Sequence, residues 1–261
     1  MKSRGNRHRR LSGAQARRLF CLLFLCLLFL SSAGPLLANP AQEKIFARRA
    51  QTAFDQAQIQ FLAHTNDPVA AWEFARTCFD WADWATNKSQ RAAIARDGIA
   101  ACRHSLALTN SAAAHYYLAM DLGELASSEM LGALKLVHEM EREFKTAAAL
   151  DAHFDFAGPE RNLGLLYRDA PAWPMSVGNR HAAREFLESA AAIAPDYPEN
   201  ILNLAETNLA LGDRADAGKG LAALDELWPQ AQQNLTGPAW EQSWDDWSKR
   251  RAALRQRLKY P

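Results

Sequence analysis

One pattern of large apolar and small residues recurs three times between residues 112 and 229. Its first half places large apolar residues three or four positions apart around a small one, as in residues 114–122, 159–167 and 199–212. Its second half is an alanine-rich run that ends before a polar residue or a proline. This spacing predicts amphipathic helices, and the recurrence predicts helix pairs stacked in a row.

The small residues explain why such helices can pair closely. Gly164 stands between large residues of one first helix, while Ala183 and Ala217 occupy the matching places in second helices. A small residue leaves a notch that accepts a side chain of the neighbouring helix. A weaker copy of the pattern precedes the three, so we count four units over residues 68–229. Pro229 is expected to end the last helix of these units because proline lacks an amide donor.

Single amphipathic helices are predicted on both sides of the four units. Residues 42–64 place their apolar side chains on one face, and residues 238–260 carry three tryptophans at helical spacing. Terminal helices of a stacked array hide its last apolar face, so we expect both to be caps. Docking to a membrane or a partner is the alternative for the tryptophan row. The basic residues near the C terminus, including Arg250, are expected to be solvated at the end of that helix.

The repeated residues resemble the tetratricopeptide repeat, a helix-turn-helix unit of about 34 residues. The chain is also similar to the periplasmic T component of tripartite (TRAP) transporters in two segments, DFAGPERNLG at residues 155–164 and APAWP at residues 170–174. These resemblances imply an all-α, tetratricopeptide-like helical-hairpin solenoid with N- and C-terminal capping helices. They further imply a subunit that works beside a solute-binding protein and carries a small hydrophobic ligand.

The resemblance also implies where a ligand or partner binds. In tetratricopeptide repeats the first helix of each pair lines a concave surface at fixed positions relative to the signature. Arg161 or Arg168 would there meet an anionic head group, and the loop around Trp173 would close one mouth of the cavity. The candidate binding residues are Trp72, Phe79, Tyr116, Met120, Arg161, Leu165, Arg168, Trp173, Leu202 and Glu206. The alternative is that such residues fill the core between neighbouring pairs.

The first 38 residues are predicted to be an export signal. They hold seven basic residues, no acidic residue and twelve consecutive apolar residues, followed by small residues suited to cleavage. A spanning helix needs about 20 apolar residues. We therefore expect a periplasmic or secreted protein, with an uncleaved inner-membrane anchor as the alternative. The expected parts are a signal peptide (1–38), an N-terminal capping helix (39–67), four repeats (68–229) and a C-terminal capping helix (230–261).

Removal of the signal changes the charge of the protein. The whole chain has a formal net charge of +1, whereas residues 39–261 hold 23 basic and 29 acidic residues, a net charge of −6. An acidic protein without a basic face argues against a nucleic-acid partner. Carboxylate pairs such as Asp80 with Asp83 are expected on solvated helix faces. The expected partners are a solute-binding or other envelope protein, a hydrophobic small ligand and a second copy of the chain.

The sequence contains no motif that indicates catalysis or metal binding. Its seven histidines are scattered singly, and it lacks a phosphate-binding glycine loop and a nucleophile elbow. We therefore expect a non-enzymatic binding protein without a cofactor. It would be a transporter-associated subunit for an amphiphilic ligand or, alternatively, a protein-protein interaction scaffold of the cell envelope. Cys78 and Cys102 are expected in the two helices of one unit, where an oxidising compartment permits a disulfide and burial without a bond is the alternative.

Overall fold

A computed structural model of the chain describes residues 40–129 and 132–259. Over these residues the chain forms ten α-helices and no strand, apart from one isolated bridge between Ala172 and Gly178. The predicted signal at residues 1–38 lies outside the described residues. The helices are α1 (Pro40–Ala63), α2 (Pro68–Ala82), α3 (Lys88–Leu108), α4 (Ala112–Ser128), α5 (Ala133–Leu150), α6 (Gly158–Asp169), α7 (Arg180–Ile193), α8 (Pro198–Ala210), α9 (Arg214–Asn234) and α10 (Glu241–Lys259).

Eight of these helices form four hairpins. Helix α2 packs on α3, α4 on α5, α6 on α7 and α8 on α9, and each hairpin also packs on the next. Helix α1 covers the first hairpin through α2, while α10 lies against α8 and α9 of the last. The predicted all-α solenoid of helical hairpins with a capping helix at each end is therefore confirmed.

Short polar residues set the start of several helices. Asp67 accepts a hydrogen bond from Val69 N at 2.9 Å ahead of α2. Asn87, Ser111 and Asp213 accept from backbone amides in the first turns of α3, α4 and α9 in the same way. Each cap satisfies an amide that has no partner within its helix. The polar stretches between the apolar patterns thus divide the chain into its hairpins.

The predicted notches of small residues lie where the helices pair. A Cβ atom added to Gly164 of α6 would lie 2.6 Å from Leu187 Cγ and 3.0 Å from Ala183 O, both on α7. One added to Gly220 of α9 would lie 2.7 Å from Ala205 Cβ of α8. These distances are shorter than ordinary van der Waals contact. A larger side chain at either glycine would therefore push the paired helices apart.

The last hairpin ends later than predicted. Pro229 does not end its helix, because α9 continues through it to Asn234. Trp228, directly before Pro229, and Leu235, directly after the end of α9, are buried in one apolar cluster with Trp247 of α10. This packing favours continuation of the helix through Pro229. The predicted boundary at residue 229 therefore falls inside a helix.

The apolar core has two parts. One cluster of buried residues extends through α2 to α7, and a second joins α8, α9 and α10. Buried polar side chains connect them, since Arg161 of α6 donates a hydrogen bond to Asn200 of α8 at 3.0 Å. The junction between the two apolar clusters is therefore polar.

Candidate functional site

Most of the candidate binding residues are buried rather than open to solvent. Arg161 and Glu206, like the six apolar or aromatic candidates on first helices, are at most 7% exposed. These six residues are Trp72, Phe79, Tyr116, Met120, Leu165 and Leu202. A ligand cannot reach a surface that is already packed. For these eight residues the structure agrees with the alternative interpretation, in which they fill the core.

Part of this surface is covered by the loop between α5 and α6, residues 151–157. Its Phe154 ring lies 6.5 Å from the ring of Trp72, 5.3 Å from that of Tyr116 and 6.1 Å from that of Tyr117, measured between centroids. All four rings meet in edge-to-face or stacked contacts, which are favourable for aromatic pairs. The loop therefore occupies the place that the resemblance assigns to a ligand.

Arg161 of α6 is the centre of a buried polar network. Its guanidinium donates to Asp155 Oδ2 at 3.0 Å, to Phe156 O at 3.1 Å and to Asn200 Oδ1 at 3.0 Å. Asn200 in turn donates to Phe156 O at 3.0 Å. The cation that is predicted to meet an anionic ligand is thus engaged within the fold, where it joins α6, α8 and the loop of residues 151–157.

The loop that Arg161 binds contains a left-handed turn. Asp155, Phe156 and Ala157 have φ angles of 49°, 55° and 60°. Residues other than glycine adopt this conformation at a cost of about 1 to 2 kcal/mol each. Hydrogen bonds from Arg161 to the carbonyls of Asp155 and Phe156 offset part of that cost. So does the stacking of the Phe156 ring on Tyr197, with centroids 4.3 Å apart.

A second buried cation attaches α10 to α8. Arg250 donates to Glu199 Oε1 at 2.7 Å, to Glu206 Oε2 at 2.8 Å and to Asn203 Oδ1 at 2.6 Å. The indole of Trp247 also donates to Glu199. The expectation that Arg250 is solvated is therefore wrong, since its side chain is 7% exposed. The sequence signal that could have revealed it is the spacing of Trp247, Arg250 and Leu254 on one helix face.

The charge of Glu199 depends on this contact. Burial acts to raise the pKa of Glu199, but the charge and hydrogen bond of Arg250, the charge of Arg161 and the hydrogen bond from Trp247 together lower the pKa below its usual value. Glu199 therefore stays ionised and contributes an attractive charge at neutral pH. The inner face of α8 is an acidic surface that the chain covers with its own C-terminal helix.

The remaining two candidates do not form a cavity either. Arg168 forms a bidentate pair with the adjacent Asp169, with both contacts at 2.6 Å, and donates to Thr207 at 3.3 Å. Trp173 is 84% exposed. Its side chain therefore lies in solvent, and the closing of a cavity mouth by this loop stays a prediction.

Four carboxylates on α2, directly after α2 and on α4 have buried side chains, contrary to the expectation that Asp80 and Asp83 are solvated. Asp80 is 8% exposed, the Asp83 side chain 1%, and Asp121 and Glu124 are fully buried. Arg91 pairs with Glu124 at 2.8 Å. Neither oxygen of Asp121 has a hydrogen-bond partner among the described residues. Burial, followed by the charges of Glu124 and Asp80, raises the pKa of Asp121 well above its usual value.

Replacing Asp121 by asparagine should stabilise the protein by about 1 to 3 kcal/mol at about pH 8, because the change removes a buried charge but keeps the shape. A carboxyl group with a raised pKa in the folded state binds more protons there than in the unfolded state. Its contribution to stability therefore falls as pH rises through the folded pKa. The advantage of Asp121→Asn should shrink as pH falls and be smallest near about pH 3, below the ordinary aspartate pKa of about 3.9, where the carboxyl is mostly neutral in both states.

Urea unfolding across this pH range measures the effect. Asp55→Asn on the exposed side of α1 is the control and should be neutral. A gap between Asp121→Asn and wild type that does not change with pH would contradict the argument.

Cys78 of α2 and Cys102 of α3 lie in one hairpin as predicted, and both are free, fully buried thiols. Burial, followed by the charge of Asp121, raises the pKa of each thiol. A thiol that keeps its proton is a poor nucleophile and a poor metal ligand. The structure therefore agrees with the alternative of two small buried residues without a bond.

Two further properties concern only residues 40–129 and 132–259. Their histidine, cysteine, aspartate and glutamate side chains form no group of three or more that could hold a metal ion. In the same part of the chain, each helix is too short or too polar to cross a bilayer.

An open groove lies over α3, α4 and α5 and has a volume of about 380 Å³. Its apolar floor consists of Ile99 from α3, Leu122 and Leu125 from α4, and Leu136 from α5. The sequence predicted a site on the first helices of the hairpins. The groove was not predicted, because two of the three helices that line it, α3 and α5, are second helices.

The rim of the groove carries more positive than negative charge. Arg96 pairs with Glu129, Arg103 pairs with Glu139 at 2.9 Å, and Lys135 stands on the α5 side. The two arginine side chains are 57% and 58% exposed. Exposed ion pairs contribute only about 0 to 1 kcal/mol, so an incoming carboxylate can replace the present partners. The groove thus combines an apolar floor with cations that are free to rearrange.

Comparison with known proteins agrees with this architecture. A family model described as a tetratricopeptide repeat matches residues 175–236, which contain the whole of α7, α8 and α9. The four stacked hairpins and this match define a protein of tetratricopeptide-repeat architecture, a class suited to protein-protein interaction. The sequence matches no curated protein.

Two solved structures are similar to the chain at low sequence identity, and the one with the higher TM-score supports the fold. The crystal structure of TTC0263, a thermophilic TPR protein of Thermus thermophilus, is 18% identical, with a TM-score of 0.56 over 84% of this chain and 95% of that chain. The crystal structure of MamA is also 18% identical and covers 75% of this chain and 98% of that chain, with a TM-score of 0.46. Similarity at this level concerns the fold alone.

Proposed function

We propose that the protein is an exported scaffold that binds an acidic, amphipathic segment of an envelope protein in the groove over α3, α4 and α5. The openness of this groove is the observation that carries the proposal, since the inner side of the first helices is filled by the chain itself. Stable interfaces combine an apolar centre with a polar rim. The groove has this order, with leucine and isoleucine side chains inside a ring of charges.

The charges of the rim favour an acidic partner. Lys135 has no ion-pair partner among the described residues, and Arg96 and Arg103 can exchange their exposed partners for new carboxylates. Complementary charge speeds association and selects the orientation of a bound segment. Export is part of the proposal because residues 1–38 have the composition of a signal peptide.

Two substitutions on α5 separate the groove from the rest of the surface. Leu136→Glu places a carboxylate in the groove floor, whereas Leu134→Glu places one on a residue that is 47% exposed and lies outside the groove. A partner captured from an envelope extract should be retained by wild type and Leu134→Glu, and lost by Leu136→Glu. Because Leu136 is partly buried against the core, circular dichroism is measured as well, and it should show that Leu136→Glu still folds. Equal capture by both variants would contradict the proposal.

A second candidate function is the one implied by the TRAP resemblance, a transporter-associated subunit that carries a small anionic amphiphile. The volume of the groove favours it, because about 380 Å³ lies within the range of small-molecule sites, about 300 to 1,000 Å³. Native mass spectrometry of the purified protein distinguishes the two candidates. A discrete small adduct on wild type that is absent from Leu136→Glu would favour the ligand, and an adduct-free protein that captures a partner would favour the scaffold.

A further inference from the structure

The loop between α6 and α7 exposes a run of apolar side chains. Trp173 is 84% and Met175 65% exposed, and Ala172 and Pro174 beside them are exposed as well. Residues 170–178 contain no charged side chain. Protein surfaces avoid consecutive exposed apolar residues unless these serve a function. The core packing described above makes no use of Trp173 or Met175.

The base of this loop is firmly held. Gly178 N donates to Pro171 O at 2.8 Å, and Asn179 N donates to Tyr167 O at 2.8 Å. Ser176 is 4% exposed, so the returning arm of the loop is buried at this residue. The exposed side chains are therefore presented by a structured base and not by a loose linker.

The tip offers few polar backbone groups to an apolar medium. Pro174 has no amide donor, and the amides of Met175 and Ser176 donate to Ala172 O at 3.1 and 3.4 Å. Backbone groups without a partner are the main cost of bringing a loop into lipid. Tryptophan also favours the membrane interface, where its ring contacts hydrocarbon and its indole N–H contacts head groups. Both features fit partial insertion into a bilayer better than exposure to water.

We propose that residues 172–175 dock the protein on an anionic lipid bilayer by inserting Trp173 and Met175 into its surface. A cation accompanies them, since the exposed Arg180 follows the loop directly and has no ion-pair partner among the described residues. On the same helix, His181 and Glu185 contact each other at 3.2 Å, and Arg184 pairs with Asp213 at 3.5 Å. A basic side chain beside an inserting loop is attracted by anionic head groups. This proposal is independent of the groove over α3, α4 and α5.

Sedimentation with vesicles tests the proposal directly. Residues 39–261, which contain all ten described helices, are mixed with vesicles of phosphatidylcholine and phosphatidylglycerol in equal parts, or of phosphatidylcholine alone. Wild type should sediment with the mixed vesicles. Trp173→Ser combined with Met175→Ser should weaken binding at least about tenfold, because the apolar area that enters the bilayer is lost. Arg180→Ala should weaken it about fivefold on the mixed vesicles only.

The control is a second pair of exposed apolar residues, Ile59 and Leu62 of α1, which are 63% and 67% exposed. Ile59→Ser with Leu62→Ser should bind like wild type if the loop itself is responsible. Unchanged melting curves are expected for both double variants, because all four side chains are exposed. Failure of wild type to bind the mixed vesicles would overturn the proposal. The proposal would also be overturned if both double variants lost vesicle binding equally. It would be overturned as well if Trp173→Ser with Met175→Ser lost a protein partner but still bound vesicles.

Discussion

Replacing Arg161 by alanine should lower the free energy of unfolding by about 3 to 5 kcal/mol, a large share of the total stability of a domain. The change leaves the carboxylate of Asp155 buried without its cation and removes the donors to the left-handed turn at Asp155 and Phe156. It also breaks the bond from α6 to Asn200 that joins the two apolar clusters. Urea unfolding followed by circular dichroism measures the loss.

Arg168→Ala is the matched control, since Arg168 lies on the same helix and is also paired with an aspartate. Its partner, Asp169, is its neighbour in the sequence, and their side chains are 14% and 19% exposed. We expect a smaller loss than for Arg161→Ala, because Asp169 is less deeply buried than Asp155 and can turn to water when its cation is removed. Equal losses in the two variants would contradict the structural role of Arg161. A stable Arg161→Ala protein would instead favour the hypothesis that both arginines meet a ligand.

The sequence predicts the hairpins because their determinants are local. Gly164 and Ala183 belong to consecutive helices, and the notch between them is visible as a small residue within an apolar pattern. Ser111, which caps α4, is a local determinant of the same kind, since it accepts a hydrogen bond from a backbone amide three residues later. The number of hairpins and the two capping helices follow from these local signals together with the repeat.

The candidate site was harder to predict because periodicity does not reveal what covers a helix face. The inner faces of α4 and α6 carry the expected residues, but the loop of residues 151–157 packs on them. Helix α4 shows the same limit, since 14 of its 17 residues are buried between neighbouring helices. A helix in the middle of the stack has almost no solvated face, so Asp121 and Glu124 are buried although charge patterning suggests a surface.

Replacing Arg250 by alanine should release α10 from α8. The variant leaves Glu199 and Glu206 facing each other in a buried place without their shared cation, at a cost of about 3 to 5 kcal/mol. Because α10 packs mainly on α8 and α9, the loss should be local. Hydrogen-deuterium exchange should become fast over Glu241–Lys259 and over the inner face of α8, while α2 to α7 keep their protection.

Arg255→Ala controls for the loss of a cation from α10 itself. Its side chain is 43% exposed and pairs with Asp225, which is 36% exposed, so removal should cost at most about 1 kcal/mol and leave exchange nearly unchanged. A third variant tests the charge argument by adding Glu199→Gln and Glu206→Gln to Arg250→Ala. These two changes remove the repulsion between the carboxylates. They should therefore restore part of the protection of α10 against hydrogen exchange. If exchange over α10 were the same in Arg250→Ala as in Arg255→Ala, apolar contacts of Trp247 and Leu254 alone would hold the helix. If instead exchange over the acidic inner face of α8 becomes fast only in Arg250→Ala, the buried cation is what holds α10 on that face.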